Sequence, residues 1–438
     1  MQKTKLIVTN FQTTSLVPYE NNAKIHNNTQ IKQIMDSIKE FNFTNPILID
    51  ENNVILAGHG RFFAAQKLKL KEVPVIKLDY LSEAQKKAYR IADNKLTENG
   101  NWDYDLLKLE LCELEKLNLD FSLDITGFEM AQIDVILDAD NSKKESNISK
   151  KLNTVPYILE KDIVSKNGDI WLLGNHKIIC GNSLEKEVFE RLFEYKQADM
   201  IFTDPPYNLK VDGQICRVRK KHYKEFAMAS GEMNSEEFKN FLYKSFSLLK
   251  EFSKNGSLHY ICMDWRHVAE IINAGTNIFD EFKNLCIWNK DNAGMGSFYR
   301  SKHELIFIFK NGTKSNINNI QLGKHGRNRT NVWEYPSVNA FSKEKINYHP
   351  TIKPVEMVQD AIIDVTKRGQ VVLDTFLGSG TTLIASEKCG RICYGIEIEP
   401  IYIDITIKRW QELTGKSAFN VNQNKTYDEL LNERKNNG

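Results

Sequence analysis

The sequence predicts an α/β protein of two domains, a small one at the N-terminus and a larger one built on a mainly parallel sheet with helices on both faces. Three observations carry this. The chain has 438 residues, whereas a single hydrophobic core stops growing at about 250–300. Short apolar runs alternate with helical segments along most of it. Between the two parts lies DADNSKKESNISKK (138–151), almost without apolar residues, which reads as a linker.

Taken in order, residues 1–80 contain IKQIMDSIKEF (31–41), PILID (46–50), VILAG (54–58), RFFAAQKLKL (61–70) and VPVIKL (73–78), a small α/β pattern. From 81 to 138 the apolar spacing becomes three and four, as in DYDLLKLELCELEKL, which predicts a helical extension. The linker is set at 139–155. Beyond it, DIWLLG and HKIICG (169–181), MIFTD (200–204), SLHYICM (257–263), NLCIWNK (284–290), ELIFIFK (304–310), VVLD (371–374) and CYGIEI (393–398) read as strands separated by helices. Strands this apolar are buried on both faces, which is the pattern of a parallel sheet. The second domain is placed at 156–420, and 421–438 is read as a polar tail.

With 41% hydrophobic and 26% charged residues the composition is that of a soluble globular chain. No apolar run approaches the ~20 residues that cross a bilayer, and MQKTKLIVTN lacks the apolar core of a secretory signal, so a cytoplasmic protein without membrane contact is expected. Seven cysteines without a CxxC pair suggest reduced thiols, and Cys389 with Cys393 has no nearby histidine, so no metal is expected. The net charge of +2 is silent about partners. Local runs say more: Arg217, Arg219 and Lys220 in one, and Lys324, Arg327 and Arg329 in KHGRNRTN, are either solvated faces or phosphate contacts.

In an open α/β sheet, ligands bind beyond the carboxyl ends of the strands. FTDPPY stands at such an end. Two prolines fix φ and remove two backbone donors, leaving a stiff segment of carbonyl acceptors. Asp204 adds an anionic acceptor and Tyr207 a flat face. Asp204 and the carbonyl of Pro205, with Pro206 stiffening the turn, suit the two hydrogens of an aromatic amine, whose delocalised lone pair makes it a weak nucleophile. Tyr207 suits a base taken out of its helix. The alternative is an ordinary strand-ending turn with a capping Asp. The stretch VVLDTFLGSGTTLIASEKCG (371–390) is a strand ending in Asp374, a glycine turn at Gly378 and Gly380, and a helix, and Glu397 ends the next strand. That arrangement fits a nucleoside cofactor whose ribose meets the second acid. The third glycine of the dinucleotide fingerprint is missing.

Residues 156 to about 415 resemble the amino-directed DNA methyltransferases that use S-adenosylmethionine. DPPY resembles their catalytic motif, LDTFLGSGTT their cofactor loop and HPTIKP (349–354) the segment before that loop, in the order of the family's β class. The resemblance implies a Rossmann-like methyltransferase sheet and catalytic roles for Asp204, Pro205, Pro206 and Tyr207. It also implies cofactor contacts at Asp374, Phe376, Gly378, Ser379, Gly380 and Glu397, with Thr351 and Lys353 near the cofactor carboxylate. Two positions depart from the family. Thr375 stands where proline is usual, and Asn182 stands where an aspartate often receives the adenine amine, so a somewhat weaker cofactor site is expected. NAGMGSFYRSKHELIFIF (292–309), with Arg300, resembles the loop near the flipped base. The polar segment 311–348 is the candidate for target recognition.

The N-terminal ILAGHGRFFAAQKLKLKEVPVI (55–76) resembles the ParB-like, sulfiredoxin-like fold, in which such a turn meets phosphates at a helix N-terminus. Gly58, His59 and Arg61 fill those places, implying a nucleotide. The expectation is therefore an adenine-N6 DNA methyltransferase acting on double-stranded DNA, as a monomer or homodimer. The alternatives are transfer to cytosine N4, or a ParB-like nucleotide- and DNA-binding protein whose second domain does no chemistry.

Overall fold

A computed structural model describes residues 6–117, 119, 121–138, 153–209, 231–293, 298–320, 328–338 and 352–437. The chain divides into two units, Met1–Ala139 and Asp140–Gly438.

In the first unit, β-branched and apolar residues form β1 (Val8–Gln12), β2 (Ile47–Ile49), β3 (Ile55–Ala57) and β4 (Glu72–Lys77), in the order β1-β4-β2-β3. Strand β2 runs parallel to β4, and the other two pairings are antiparallel. Helix α1 (Asn28–Phe41) begins where the Asn27 side chain accepts the Gln30 N–H at 2.8 Å, and α2 (His59–Lys67) follows directly on β3. Ile47, Ile49, Ile55, Phe62, Val73 and Val75 form the core between sheet and helices. Strand β1 is absent from the apolar runs singled out above, because only Val8 and Phe11 of VTNFQ are apolar, three residues apart, and all of it lies near the surface. Helix α3 (Glu83–Glu98) starts with a capping box between Ser82 and Gln85. Its buried Lys86 meets Glu51 at 2.6 Å, Glu83 at 2.7 Å and Asp50 at 3.8 Å, which ties the helix to the β2–β3 turn. Helices α4 (Tyr104–Lys116) and α5 (Met130–Asp138) pack Leu111, Met130, Ile133 and Ile136 into a second small core.

The second unit is organised by one large sheet. Its strands are β5 (Ile170–Leu173), β6 (His176–Cys180), β7 (Ala198–Thr203), β8 (Ser253–Met263), β9 (Glu281–Asn289), β10 (His303–Lys310), β11 (Val332–Glu334), β12 (Val371–Asp374), β13 (Ile392–Glu397), β14 (Phe419–Asn420) and β15 (Lys425–Thr426). Their order is β11-β9-β10-β8-β7-β12-β13-β6-β5-β14-β15. The five central strands β8-β7-β12-β13-β6 are parallel, whereas β10 is antiparallel to both its neighbours and β5, β14 and β15 pair antiparallel. The expectation of a mainly parallel sheet is thus corrected to a parallel centre with mixed and antiparallel flanks. ELIFIFK is as apolar as its parallel neighbours because helices cover both its faces, so hydrophobicity reported burial and not direction.

Alternation along the strands fills two cores. Met200 and Phe202 of β7 face one side with helices α9 (Val355–Val365), α10 (Thr381–Lys388) and α11 (Pro400–Thr414). Ile201 faces the other with α6 (Lys186–Phe193), α7 (Ser235–Glu251) and α8 (Val268–Ile278). The segment expected to be a polar tail is ordered as β15 and helix α12 (Tyr427–Asn437), because Tyr427 and Leu430 are buried in the first of these cores. No helix among the described residues is long and apolar enough to cross a membrane.

Candidate active site

One edge of the large sheet gathers the chemistry. Strands β6, β7, β8, β9, β12 and β13 end there, and β10, running the other way, begins there. Strand β7 delivers Asp204 and neighbouring β12 delivers Asp374. The two strand ends are tied together by Thr203, whose buried hydroxyl donates to Asp374 Oδ1 at 3.0 Å and lies 3.2 Å from Thr375 Oγ1. A proline at 375 would lack that hydroxyl.

After Thr203 the chain turns through Pro205, which is buried, and Pro206 to Tyr207. The Tyr207 hydroxyl donates to Asp204 Oδ1 at 2.5 Å, and Lys353 Nζ donates to Asp204 Oδ2 at 2.5 Å. The same Nζ lies 3.0 Å from Glu304 Oε2 and 5.6 Å from the centre of the Tyr207 ring. Lys290, just past the end of β9, pairs with Glu304 Oε1. The result is a run of alternating charge, Lys290, Glu304, Lys353, Asp204, buried at its centre and partly exposed at both ends, where the Lys290 and Asp204 side chains are 23% and 21% exposed. Burial opposes the charge of Glu304, but the Lys353 and Lys290 ammoniums outweigh it and hold the carboxyl at about 2. Burial opposes the charge of Lys353 too, and Asp204 and Glu304 overcome it, raising the ammonium above its ordinary value. Burial beside Asp204 and Glu304 raises the Tyr207 phenol well above 10, so it stays a donor.

Lys353 is therefore placed on the carboxylate of the DPPY turn, between Asp204 and the buried Glu304. Glu304, Lys290 and Asn208 were missed by the sequence reading. Asn208 holds a left-handed backbone at φ 52° and clamps the turn, accepting from Gly231 and Met233 and donating to the Met233 carbonyl at 2.8 Å. The usable signals were an acid heading an otherwise apolar strand and an Asn directly after DPPY, since Asn tolerates that conformation.

The glycine loop is built around two buried carboxylates. Asp374 accepts from Thr203, from the Phe376 N–H at 3.1 Å and from Thr382 Oγ1 at 2.6 Å, so its role is to hold the loop. Glu397 accepts the N–H of Gly378 and of Glu399, each at 2.8 Å. Burial lifts Asp374 to about 6 and Glu397 to about 7. Gly380 is the N-cap of α10 at φ 83°, and a Cβ there would meet Thr406 at 2.6 Å. The Ser379 carbonyl is held by Arg409 Nη1 at 2.5 Å, and Phe376 is half-buried. Asn182 turns its Oδ1 to the Leu184 N–H at 3.0 Å and its Nδ2 to Glu185 at 3.1 Å, a local cap. This donor set fits a nucleoside: a carboxylate has about four lone-pair sites, so Glu397 keeps acceptors beyond its two backbone bonds, Phe376 offers a face, and α10 presents its positive end.

In the first unit Gly58 caps α2 at φ 100°, beyond the reach of most other residues. His59 is buried and accepts the Tyr19 N–H at 3.2 Å, and burial, helped by His26 and Arg90, lowers it to about 4, so it is neutral. Arg61 is half-buried, and its Nε has no hydrogen-bond partner among the described residues.

The expected DNA contacts fare unequally. Arg217, Arg219, Lys220, Lys324 and Arg327, like Thr351, lie outside the described residues. Arg300 is exposed, beside the exposed rings of Phe298 and Tyr299, and donates to the Ala293 carbonyl at 3.0 Å. Arg329 is corrected from a DNA contact to an internal one: it meets Asp364 at 2.7 Å and Asp360 at 3.0 Å on α9 and stacks on Trp333. Asn319 of the same candidate recognition segment is buried and donates to the carbonyls of Ile363 and Thr366. Within the described part of 311–348, Asn311, Asn319 and Trp333 are thus buried, while the other residues lie at or near the surface.

Comparison with known proteins bears on this edge and on the first unit. The DNA methylase family model matches residues 198–408, the ParB N-terminal domain residues 2–95, and the ParB-methyltransferase HTH domain residues 105–164. The helical extension is therefore similar to a helix-turn-helix domain, which its leucine spacing alone did not reveal. The type II methyltransferase M2.LlaDCHI of Lactococcus lactis subsp. cremoris is 30% identical over 231 residues, 48% of this chain and 81% of that protein. The ParB-like nuclease domain-containing protein YnaK of Escherichia coli (strain K12) is 47% identical over 85 residues, 19% of this chain and 95% of that protein. Among solved structures, the cytosine-N4-specific PvuII DNA methyltransferase aligns with a TM-score of 0.44 at 16% identity, over 59% of this chain and 93% of that one.

Proposed function

We propose that this chain, which belongs to the DNA methylase family and carries a ParB N-terminal domain, methylates the N6 amine of adenine in DNA with S-adenosylmethionine as donor. The observation that carries this is the anchored DPPY turn beside the glycine loop, joined through the Thr203 to Asp374 hydrogen bond. S-adenosylmethionine, when bound, supplies a methyl group activated on a sulfonium. Glu397 would accept from its ribose hydroxyls, with Phe376 and the turn 378–380 around the rest.

The remaining work falls to the chain itself. The target amine has a lone pair delocalised into its ring. Accepting its two hydrogens at Asp204 and at the Pro205 carbonyl favours a pyramidal nitrogen and aims the lone pair out of the ring plane. Because the prolines and the Asn208 clamp hold these acceptors still, little reorganisation is left for the transition state. Tyr207 stacks on the flipped base. An aspartate at 204 favours adenine, by the resemblance of DPPY to the adenine-specific motif. The first unit holds a phosphate-bearing nucleotide at Gly58, His59 and Arg61, where the Arg61 Nε, without a partner among the described residues, offers a donor, and the helical region contributes further contact with double-stranded DNA.

The test is to express the protein in a methylation-free bacterial host and sequence the DNA by a method that separates N6-methyladenine from N4-methylcytosine. N6-methyladenine in a defined motif supports the reading, and N4-methylcytosine moves the target to cytosine.

A further inference from the structure

Glu304 is a buried carboxylate that the mechanism above does not use. Its Oε1 is fixed by Lys290, while its Oε2 lies 3.0 Å from Lys353 Nζ and 3.4 Å from the Tyr207 hydroxyl. These are the two donors that occupy Asp204, each at 2.5 Å. Each oxygen of Asp204 therefore already accepts from a strong donor, which leaves one lone-pair site on each but weakens it as an acceptor for the target amine. Both donors stand within reach of a second acceptor.

We propose that Glu304 is a positioning residue that frees Asp204: as the target amine arrives, Lys353 and Tyr207 pass from Asp204 to Glu304. This rests on the reading of Asp204 as an acceptor for that amine. The exchange is cheap for three reasons visible in the geometry. Two ammoniums and two carboxylates balance, so no net charge is moved or buried. Lys353 already pairs with Glu304 at 3.0 Å and keeps that partner, and Tyr207, already 3.4 Å from the same oxygen, exchanges one carboxylate acceptor for another. Glu304 is shielded from water at 8% exposure, so no solvent competes for its oxygens, while the Asp204 side chain is 21% exposed.

The test compares the wild type with Glu304→Gln, Lys353→Met and the double variant. Methyl transfer is followed from labelled S-adenosylmethionine to unmethylated genomic DNA, and cofactor affinity by calorimetry. Glutamine keeps the size but loses the charge that draws Lys353 away, so kcat falls roughly 10- to 100-fold while cofactor affinity stays within about twofold. Removing the ammonium as well returns about tenfold of that loss, a non-additivity that a merely structural carboxylate would not give. Glu304→Gln at wild-type kcat, a kcat loss matched by loss of cofactor affinity, or a double variant no better than Glu304→Gln would each overturn the inference. A wild type that binds S-adenosylmethionine but labels no DNA overturns the reading of the reaction, and this inference with it.

Discussion

Gly58 and Gly380 hold nearly the same backbone conformation, φ 100° with ψ 21° and φ 83° with ψ 25°, and each opens a helix that follows a buried strand. The side chains around them are opposite in character. Gly58 is followed by the neutral, buried His59 and by Arg61, whose Nε has no partner among the described residues, a setting for phosphate. Gly380 closes a loop held by Asp374 and Glu397, a setting that repels phosphate and suits hydroxyls or a cation. A strand, a left-handed glycine and a helix supply only open backbone donors. The neighbouring charges decide what is bound.

The largest effect should come from the packing at one of the two glycines. Gly380→Ala forces a left-handed alanine whose Cβ meets Thr406 at 2.6 Å, so chemical denaturation should show a loss of roughly 3 kcal/mol in the second unit. Gly58→Ala, also left-handed, meets the Arg61 guanidinium at 3.0 Å and Ile47 at 3.4 Å and should cost about 1 kcal/mol in the first. Equal losses would show that the two turns are packed alike. Next, Glu397→Gln should weaken S-adenosylmethionine about 10- to 100-fold in calorimetry by removing the charged acceptor, with nucleoside triphosphate binding unchanged. Arg61→Ala should do the reverse, at about tenfold. A variant that weakens both ligands would break the distinction.

The smallest effect is the dependence on pH. Burial first, with Asp374 and Glu399 adding to it, lifts Glu397 from 4.5 to about 7. Between those values the folded chain keeps a proton that the unfolded chain has released, so Glu397 makes stability fall as pH rises through that window. Over the same rise the carboxylate becomes available to ribose hydroxyls, so cofactor affinity grows. Thermal unfolding and cofactor titration from pH 5 to pH 8 should show these opposite slopes, and both should flatten in Glu397→Gln.

How much of this was legible in the sequence differs by kind of contact. The strands ending in Asp204, Asp374 and Glu397 are continuous apolar runs followed by stiff or glycine-rich turns, and local chemistry alone locates them. Arg329 looked like part of a basic surface because its partners Asp360 and Asp364 lie 31 and 35 residues further on, across a helix whose facing could not be read. Glu304, and with it a partner of Lys353, escaped for the same reason: the antiparallel direction of β10, which sets Glu304 beside the ends of the parallel strands, is invisible to periodicity. In the C-terminal stretch, Tyr427 and Leu430 are two anchors in a polar sequence, too few to register as a core.

The central claim is that the acceptors of the DPPY turn act on an adenine amine. The most direct measurement is to incubate the protein with unmethylated DNA and labelled S-adenosylmethionine, digest the DNA and separate the nucleosides. Label is expected in N6-methyldeoxyadenosine from the wild type, with a loss on the order of 10²- to 10³-fold in Asp204→Ala while cofactor binding is retained. Label in N4-methyldeoxycytidine, or undiminished transfer by Asp204→Ala, would contradict it.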